Sequence, residues 1–575
     1  MKMLNIKKLI AIILCASLSF GIISTSVSAQ ETAGMDEPTT TAIFEETTTE
    51  IIYTTPYSTT TAPVYTTVAA ETTTAVATTA APTTTAAPTT TAAPTTTVPA
   101  EEETEPTLPE KGDTEPFRIS NVVNGNTASK RGFTWYTKTP TDTVIEIYKN
   151  GLKVEGLDIV YYNQMFEGNH MHKATVDGLE AGTIYTFRVG DGILFSDMGT
   201  FVTDDCDDNL NFLAIADVQA GNLENFLAGA EVLGAAFKTM PEAEFVVNLG
   251  DMTDDSTNEE WDFNDYAFGK YNLNATLVPV AGNHDGLGVW DWFNNMFNLD
   301  TSESVQNLNG VNYSFDYGNA HFAVLNTNDV LSMSISQLLW LKNDMNGTDK
   351  DWKIVLMHKS PYSLGKDAKW PDALYLQSSL TKVLAMCDVD LVMSGHDHQY
   401  LRTKPLTNNK VDEDGTTFVL AGTAGKKRYE VRPFLANHFL KTENIAALTI
   451  QKDGYGNYWN GENWDNTKQT NIGGCFNAIS IDGGKLTYNA YILADEKDAS
   501  GNDIITNIDS FTLEKETGKN EATFSGDNTT SEVEFYIGVV PSFFALATYV
   551  FAEWLPKFLF MVPELLVSVI VDDVF

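Results

Sequence analysis

Five short apolar runs, each ending in residues of metal-ligand type, constrain this chain more than any other feature. Residues 210–216 run into Asp217-Val218-Gln219, 245–249 into Gly250-Asp251-Met252-Thr253-Asp254, and 277–281 into Gly282-Asn283-His284-Asp285. Residues 354–357 run into His358, and 391–394 into Gly395-His396-Asp397-His398. Helical stretches separate them, so the runs read as strands of an α/β domain. Open α/β sheets build their sites at the carboxyl ends of strands, and these clusters would converge there. The chain holds eight histidines, and four of the six beyond residue 210 sit in these clusters. A single Gly-Asp or Asn-His-Asp is commonplace; the ordered set of five is specific.

Charge excludes one class of function. Against 77 acidic side chains stand 36 basic ones, a net −41, and beyond the extreme N-terminus no basic run is longer than Lys426-Lys427-Arg428. Such a chain repels nucleic acid, so no nucleic-acid-binding module is expected. The length of 575 residues calls for two or three domains. Residues 1–29 have the basic start (Lys2, Lys7, Lys8), apolar stretch and Val27-Ser28-Ala29 ending of an export signal, which makes the protein secreted or held at the cell surface. Residues 30–116 are a disordered Thr/Ala/Pro-rich stalk, with AAPTTT three times in tandem from Ala80 to Thr97. Of the four cysteines, Cys15 leaves with the signal. Cys206, Cys387 and Cys475 cannot all pair, and buried thiols are expected.

Residues 117–204 change to alternating runs such as Gly132-Phe133-Thr134-Trp135-Tyr136 and Val144-Ile145-Glu146-Ile147-Tyr148, parted by turn residues. They predict an all-β sandwich of fibronectin III or immunoglobulin kind, in which His172 is a strand residue. Residues 209–515 form the α/β domain. Inside it, His321 reads as a core or edge histidine, and Trp290, Phe293 and Phe297 as helix packing. Residues 516–575 are a polar linker and an apolar tail; 535–552 carry no charge but include Pro541, so a membrane anchor and an interfacial helix both stay open.

The ordered clusters resemble the calcineurin-like metallophosphoesterases. With the preceding β-module, whose His172-Lys173-Ala174-Thr175-Val176-Asp177-Gly178-Leu179 stretch is similar to the N-terminal module of purple acid phosphatases, the likeness is to that branch. The resemblance implies a double-sheet sandwich flanked by helices, holding two divalent or trivalent metal ions (Fe, Mn or Zn) at the strand ends. By family position Asp251 bridges the ions, Asp217 and His398 hold the first, and Asn283, His358 and His396 hold the second. A phosphate ester resists hydroxide because both are anionic, and two cations neutralise that charge and supply hydroxide between them. His284 corresponds to the acid that meets the leaving oxygen, and Asp285 is expected to orient its ring.

Two positions depart from the family. Gln219 stands where many metallophosphoesterases have a histidine; it ligates through its amide oxygen or hydrogen-bonds a metal-bound water. Asp254 replaces the metal-binding tyrosine of purple acid phosphatases and is expected at the edge of the site. The reading is an exported phosphoesterase acting on small phosphate monoesters. A phosphodiesterase acting on nucleotides or cell-wall polymers, and a surface binding protein with a vestigial metal site, are the alternatives.

Overall fold

The computed structural model describes residues 108–286, 291–305, 311–328, 335–365, 368, 371–429, 440–449, 456–459, 464–470 and 473–518. The export signal, residues 30–107 of the stalk, Trp290 and the apolar tail lie outside them, whereas residues 108–116, expected to be disordered stalk, are held to the folded part by the Lys111–Asp265 ion pair and the Thr139 N–H on the Asp113 carbonyl at 3.0 Å. Among the described residues no helix is long and apolar enough to cross a membrane.

Two mixed sheets stack around one apolar layer, and the alternation of side chains along each strand shows why. In Asn209–Ile215, Leu210, Phe212 and Ala214 face between the sheets, while Leu213 and Ile215 face outward under the helices Leu223–Thr239 and Asn258–Asn274. Phe245–Asn248 repeats the division with Phe245 and Val247 against Val246. In the second sheet, Phe322 and Val324, Ile354 and Leu356, and Leu391 and Met393 point inward. Ala323, Val355 and Val392 point out beneath the helix Ile335–Gly347. Such strands are apolar on both faces, which is why they read as continuous runs rather than alternating ones. Each outer helix has a chemical start: Asn222 caps one through the Asn225 N–H at 3.0 Å, and Thr257 with Glu260 forms a capping box on the other.

The β-rich N-terminal part is less separate than its sequence suggests. Strands Val144–Lys149, Leu152–Lys153, Ile184–Gly190 and Gly199–Val202 form a sheet of their own. The other four, Phe117–Val122, Arg131–Thr137, Asp158–Phe166 and Asn169–Asp177, extend the first large sheet to ten strands. The join is parallel, with Val122 opposite Leu277 of Thr276–Pro279. Buried Arg118 then ties the module to the helix Asn258–Asn274 through Asp262 at 2.8 Å, and Lys173 donates to the Phe297 carbonyl at 2.8 Å. The module therefore braces the segment that follows the Asn283-His284-Asp285 turn.

Several residues singled out from sequence take structural places. His172 stacks on Trp135 and bonds Thr143 at 2.9 Å and Thr137 at 3.0 Å. Phe293 and Phe297 are buried. Cys387 and Cys475 are buried thiols, but Cys206 is exposed, because it sits in the connection ahead of Asn209–Ile215 rather than within a strand.

His321, on Ala320–Leu325, is flanked by Asp316 at 2.7 Å and Asp344 at 2.9 Å. Burial disfavours the charged ring, but the two carboxylates outweigh it and hold His321 up at about 9. A group raised in the folded state contributes its full stabilisation below the ordinary imidazole range and loses it as pH rises through the folded value. His321→Gln should therefore unfold at a lower temperature than the parent at pH 6, with the gap closing between about pH 7 and about pH 10. A gap of the same size at both ends would refute the charged triad.

Candidate metal centre

The strand-end turns bring the predicted ligands together by bending the backbone sharply. Asp217, Gln219, Asp251, His396 and His398 all have φ between 37° and 79°, the left-handed region that side chains with a Cβ avoid. Strain of this kind is retained where the surroundings enforce it, and it clusters at functional sites. Gly282 shows how closely the turns pass, because a Cβ there would lie 1.9 Å from the Asp251 nitrogen.

Two groups of ligand atoms result. Asp251, His358 and His396 form one, and Asp217, Asp251 and His398 the other; within each, the donor atoms lie within 4.8 Å of one another. Asp251 is common to both. Its Oδ1 accepts from the His284 N–H at 2.8 Å, and its Oδ2 stands 3.2 Å from His358 Nε2. Asn283 Oδ1 also faces His358 Nε2, at 3.2 Å. Both oxygens of Asp217 accept from the His396 N–H, at 2.8 and 2.9 Å.

Each imidazole is set by what its far nitrogen does. His358 Nδ1 donates to the Leu249 carbonyl at 2.8 Å, and His398 Nδ1 donates to the Lys427 carbonyl. This presents Nε2 to the centre in both rings, the second-sphere arrangement that fixes tautomer and raises ligand basicity. Tyr429 stacks on His398 with ring centroids 4.2 Å apart. Lys427 and Tyr429 carry no sequence signal for this role, since 29 residues separate His398 from its carbonyl partner.

The donor set fits cations. His398 Nε2 and Gln219 Oε1 are buried without a hydrogen-bond partner. Burial raises Asp217 well above the ordinary carboxylate range. For Asp251 burial acts the same way, but His358 outweighs it and holds the carboxyl low. Burial would lower His358, yet Asp251 and Asp217 push it up to about 9. Burial also lowers His398 to about 3 and His396 well below its usual value, leaving both as neutral ligands. Converging lone pairs that no protein donor meets are what metal ions would satisfy.

Asp285 does not have the expected place. Its carboxylate accepts from the backbone N–H groups of Asp251 at 2.9 Å, Met252 at 2.7 Å, Thr253 at 3.3 Å and Gly282 at 2.8 Å. It is fully buried and ties the Asp251 turn to the Gly282 turn. The reason is geometric: neighbouring residues in a tight turn point apart, so Asp285 goes inward while the His284 ring goes outward. The ring is held instead by Asp254 and Gln219. His284 Nδ1 donates to the Asp254 carbonyl, and the Gln219 amide nitrogen lies 2.9 Å from Nε2. Asp254, expected at the edge, is thus part of the network. The His284 side chain is 27% exposed and His396 is also partly exposed, whereas His358 is fully buried.

With this geometry in hand, similarity to known proteins can be placed on it. Residues 210–400 match the calcineurin-like phosphoesterase family model, and 116–203 match that of the purple acid phosphatase N-terminal domain. Purple acid phosphatase 18 of Arabidopsis thaliana is 25% identical over 293 residues, 49% of this chain and 64% of that protein. Purple acid phosphatase 21 of the same plant is 30% identical over 138 residues, 24% of this chain and 31% of its own length. This chain thus spans less than two thirds of either relative. The structure of purple acid phosphatase PPD1 from yellow lupin seeds shares the fold, with a TM-score of 0.52 at 16% identity, covering 70% of this chain and 75% of that one. The chain carries a calcineurin-like phosphoesterase domain behind a purple acid phosphatase N-terminal domain.

Proposed function

We propose that this protein is a metal-dependent phosphoesterase that hydrolyses phosphate monoesters. The observation that carries the reading is the sharing of Asp251 between two adjacent groups of ligand atoms. Asp217 and His398 would complete the first position; His358, His396 and Asn283 would complete the second. Two cations held there supply charge neutralisation for the ester and a nucleophilic oxygen near neutral pH.

The chain's own residues do the rest. Asp285 holds the two turns in register, so the spacing of the ligands does not depend on the metals. The Leu249 and Lys427 carbonyls keep His358 and His398 from rotating out of place. His284 stands at the open side and is the residue suited to give a proton to the leaving oxygen. Its Nδ1 proton is committed to the Asp254 carbonyl, so the transferable proton belongs to Nε2, and delivering it requires the Gln219 amide to give way. The N-terminal sequence supports the reading of an exported enzyme on a polar stalk, with a fibronectin III-like module bracing the site.

Metal analysis of the purified protein, combined with turnover of an aryl phosphate and of its bis-ester, tests the proposal. Two bound ions and faster cleavage of the monoester are expected. Faster cleavage of the bis-ester would make it a diesterase. A folded protein that takes up no metal and turns over neither ester would be a binding protein with a vestigial centre.

A further inference from the structure

Gln219 is the residue of the centre whose two side-chain atoms are told apart by their neighbours. Its amide nitrogen lies 2.8 Å from Asp254 Oδ1, and a carboxylate oxygen only accepts. The same nitrogen lies 2.9 Å from His284 Nε2, which is an acceptor in the neutral ring, where Nδ1 carries the proton toward the Asp254 carbonyl. Turning the amide over would set its oxygen against both acceptors. The NH2 group therefore faces Asp254 and His284, and Oε1 is left buried with no partner in the protein. Gln219 is 5% exposed, and its backbone is pinned at φ 37° by a 2.7 Å bond from its N–H to the Asp251 carbonyl. A buried amide oxygen without a donor costs stability unless something outside the protein meets it. A second buried atom without a partner, His398 Nε2, belongs to the first metal position.

We infer that Asp254 is a positioning residue that fixes the Gln219 amide so that Oε1 becomes a neutral oxygen donor to the first cation, beside Asp217, Asp251 and His398. This rests on the metal-centre reading above and adds a ligand held by a residue that touches no metal. The chemistry agrees: two carboxylates, one imidazole and one amide oxygen form a mixed N/O set suited to Mn, Fe or Zn. Lys427 Nζ, 3.4 Å from the same Asp254 oxygen, helps keep that carboxylate turned toward Gln219.

Zinc titration of the metal-stripped full chain by calorimetry tests the inference, using Asp254→Ala, Asp254→Asn, Gln219→Ala and the Asp254→Ala/Gln219→Ala pair. The parent should bind two equivalents. Asp254→Ala and Gln219→Ala should each weaken one equivalent by roughly 10- to 100-fold and leave the other unchanged, the size expected when a ligand or its orienting partner is lost. Asp254→Asn keeps an acceptor oxygen while losing the charge, so its zinc affinity should stay within about threefold of the parent. The double variant should be no weaker than Gln219→Ala alone, because both changes remove one interaction. Equal weakening in Asp254→Asn and Asp254→Ala would mean that charge rather than orientation matters, and would overturn the inference. So would parental affinity in Asp254→Ala, or additive losses in the double variant. Thermal unfolding of the stripped proteins confirms that each variant is folded. A parent that binds no zinc would instead sink the metal-centre reading itself.

Discussion

Asp251→Asn should strip the protein of metal and of activity together while leaving it folded. Asparagine keeps the shape, and its Oδ1 can still accept the His284 N–H that Asp251 accepts at 2.8 Å. Its NH2 can turn toward His358 Nε2, 3.2 Å from the present carboxylate oxygen, because Nδ1 of that ring already donates to Leu249. The hydrogen bonds survive, but the negative charge shared by two cations does not. Losing an outer-sphere partner costs roughly 10- to 100-fold in metal affinity, and losing a ligand common to both positions should cost about 10³-fold or more. Metal analysis, turnover and thermal unfolding of the variant decide the matter. Two ions still bound would refute the bridging assignment.

His284→Ala should do the opposite, keeping the metals and losing rate. Its ring leans on the Asp254 carbonyl and the Gln219 amide and is partly exposed. Loss of a positioned general acid costs ~10²–10⁴ in rate. The loss should shrink steadily as the leaving group becomes a better one, since an alcohol that departs as a stable anion needs no proton. Measuring parent and variant over a series of aryl and alkyl phosphates gives the slope. A constant ratio across the series would remove His284 from the acid role and leave it a binding residue.

Part of this centre was legible in the residues themselves. Aspartate, asparagine and histidine at the ends of apolar runs suggest ligands because those side chains carry oxygen or nitrogen lone pairs, and a run of strand length tells where the chain turns. The two sheets follow from the same local rule: each strand offers alternate side chains to the inner layer and to the helices, and that period is written in consecutive residues. Asp251, His358 and His398 stand at those run ends, and the structure brings them into groups of atoms that could hold a metal.

What only the tertiary structure decided is how neighbours in sequence part company and how distant residues meet. Asp285 follows His284 directly, yet one turns inward to four backbone N–H groups and the other outward. That divergence depends on the tight turn and on the Asp251 loop packed against it, 34 residues earlier. Gln219 meets Asp254 across 35 positions and His284 across 65, so the amide's orientation has no local cause that a pattern could reveal. The β-module reads as a separate sandwich because its alternation is complete in itself. Pairing of Val122 with Leu277 nevertheless merges one of its sheets with the α/β domain, since an unpaired strand edge is satisfied by whichever partner the fold brings beside it. Residue type and period act over a few residues; a hydrogen bond between side chains far apart in the chain exists only once the backbone has closed around it.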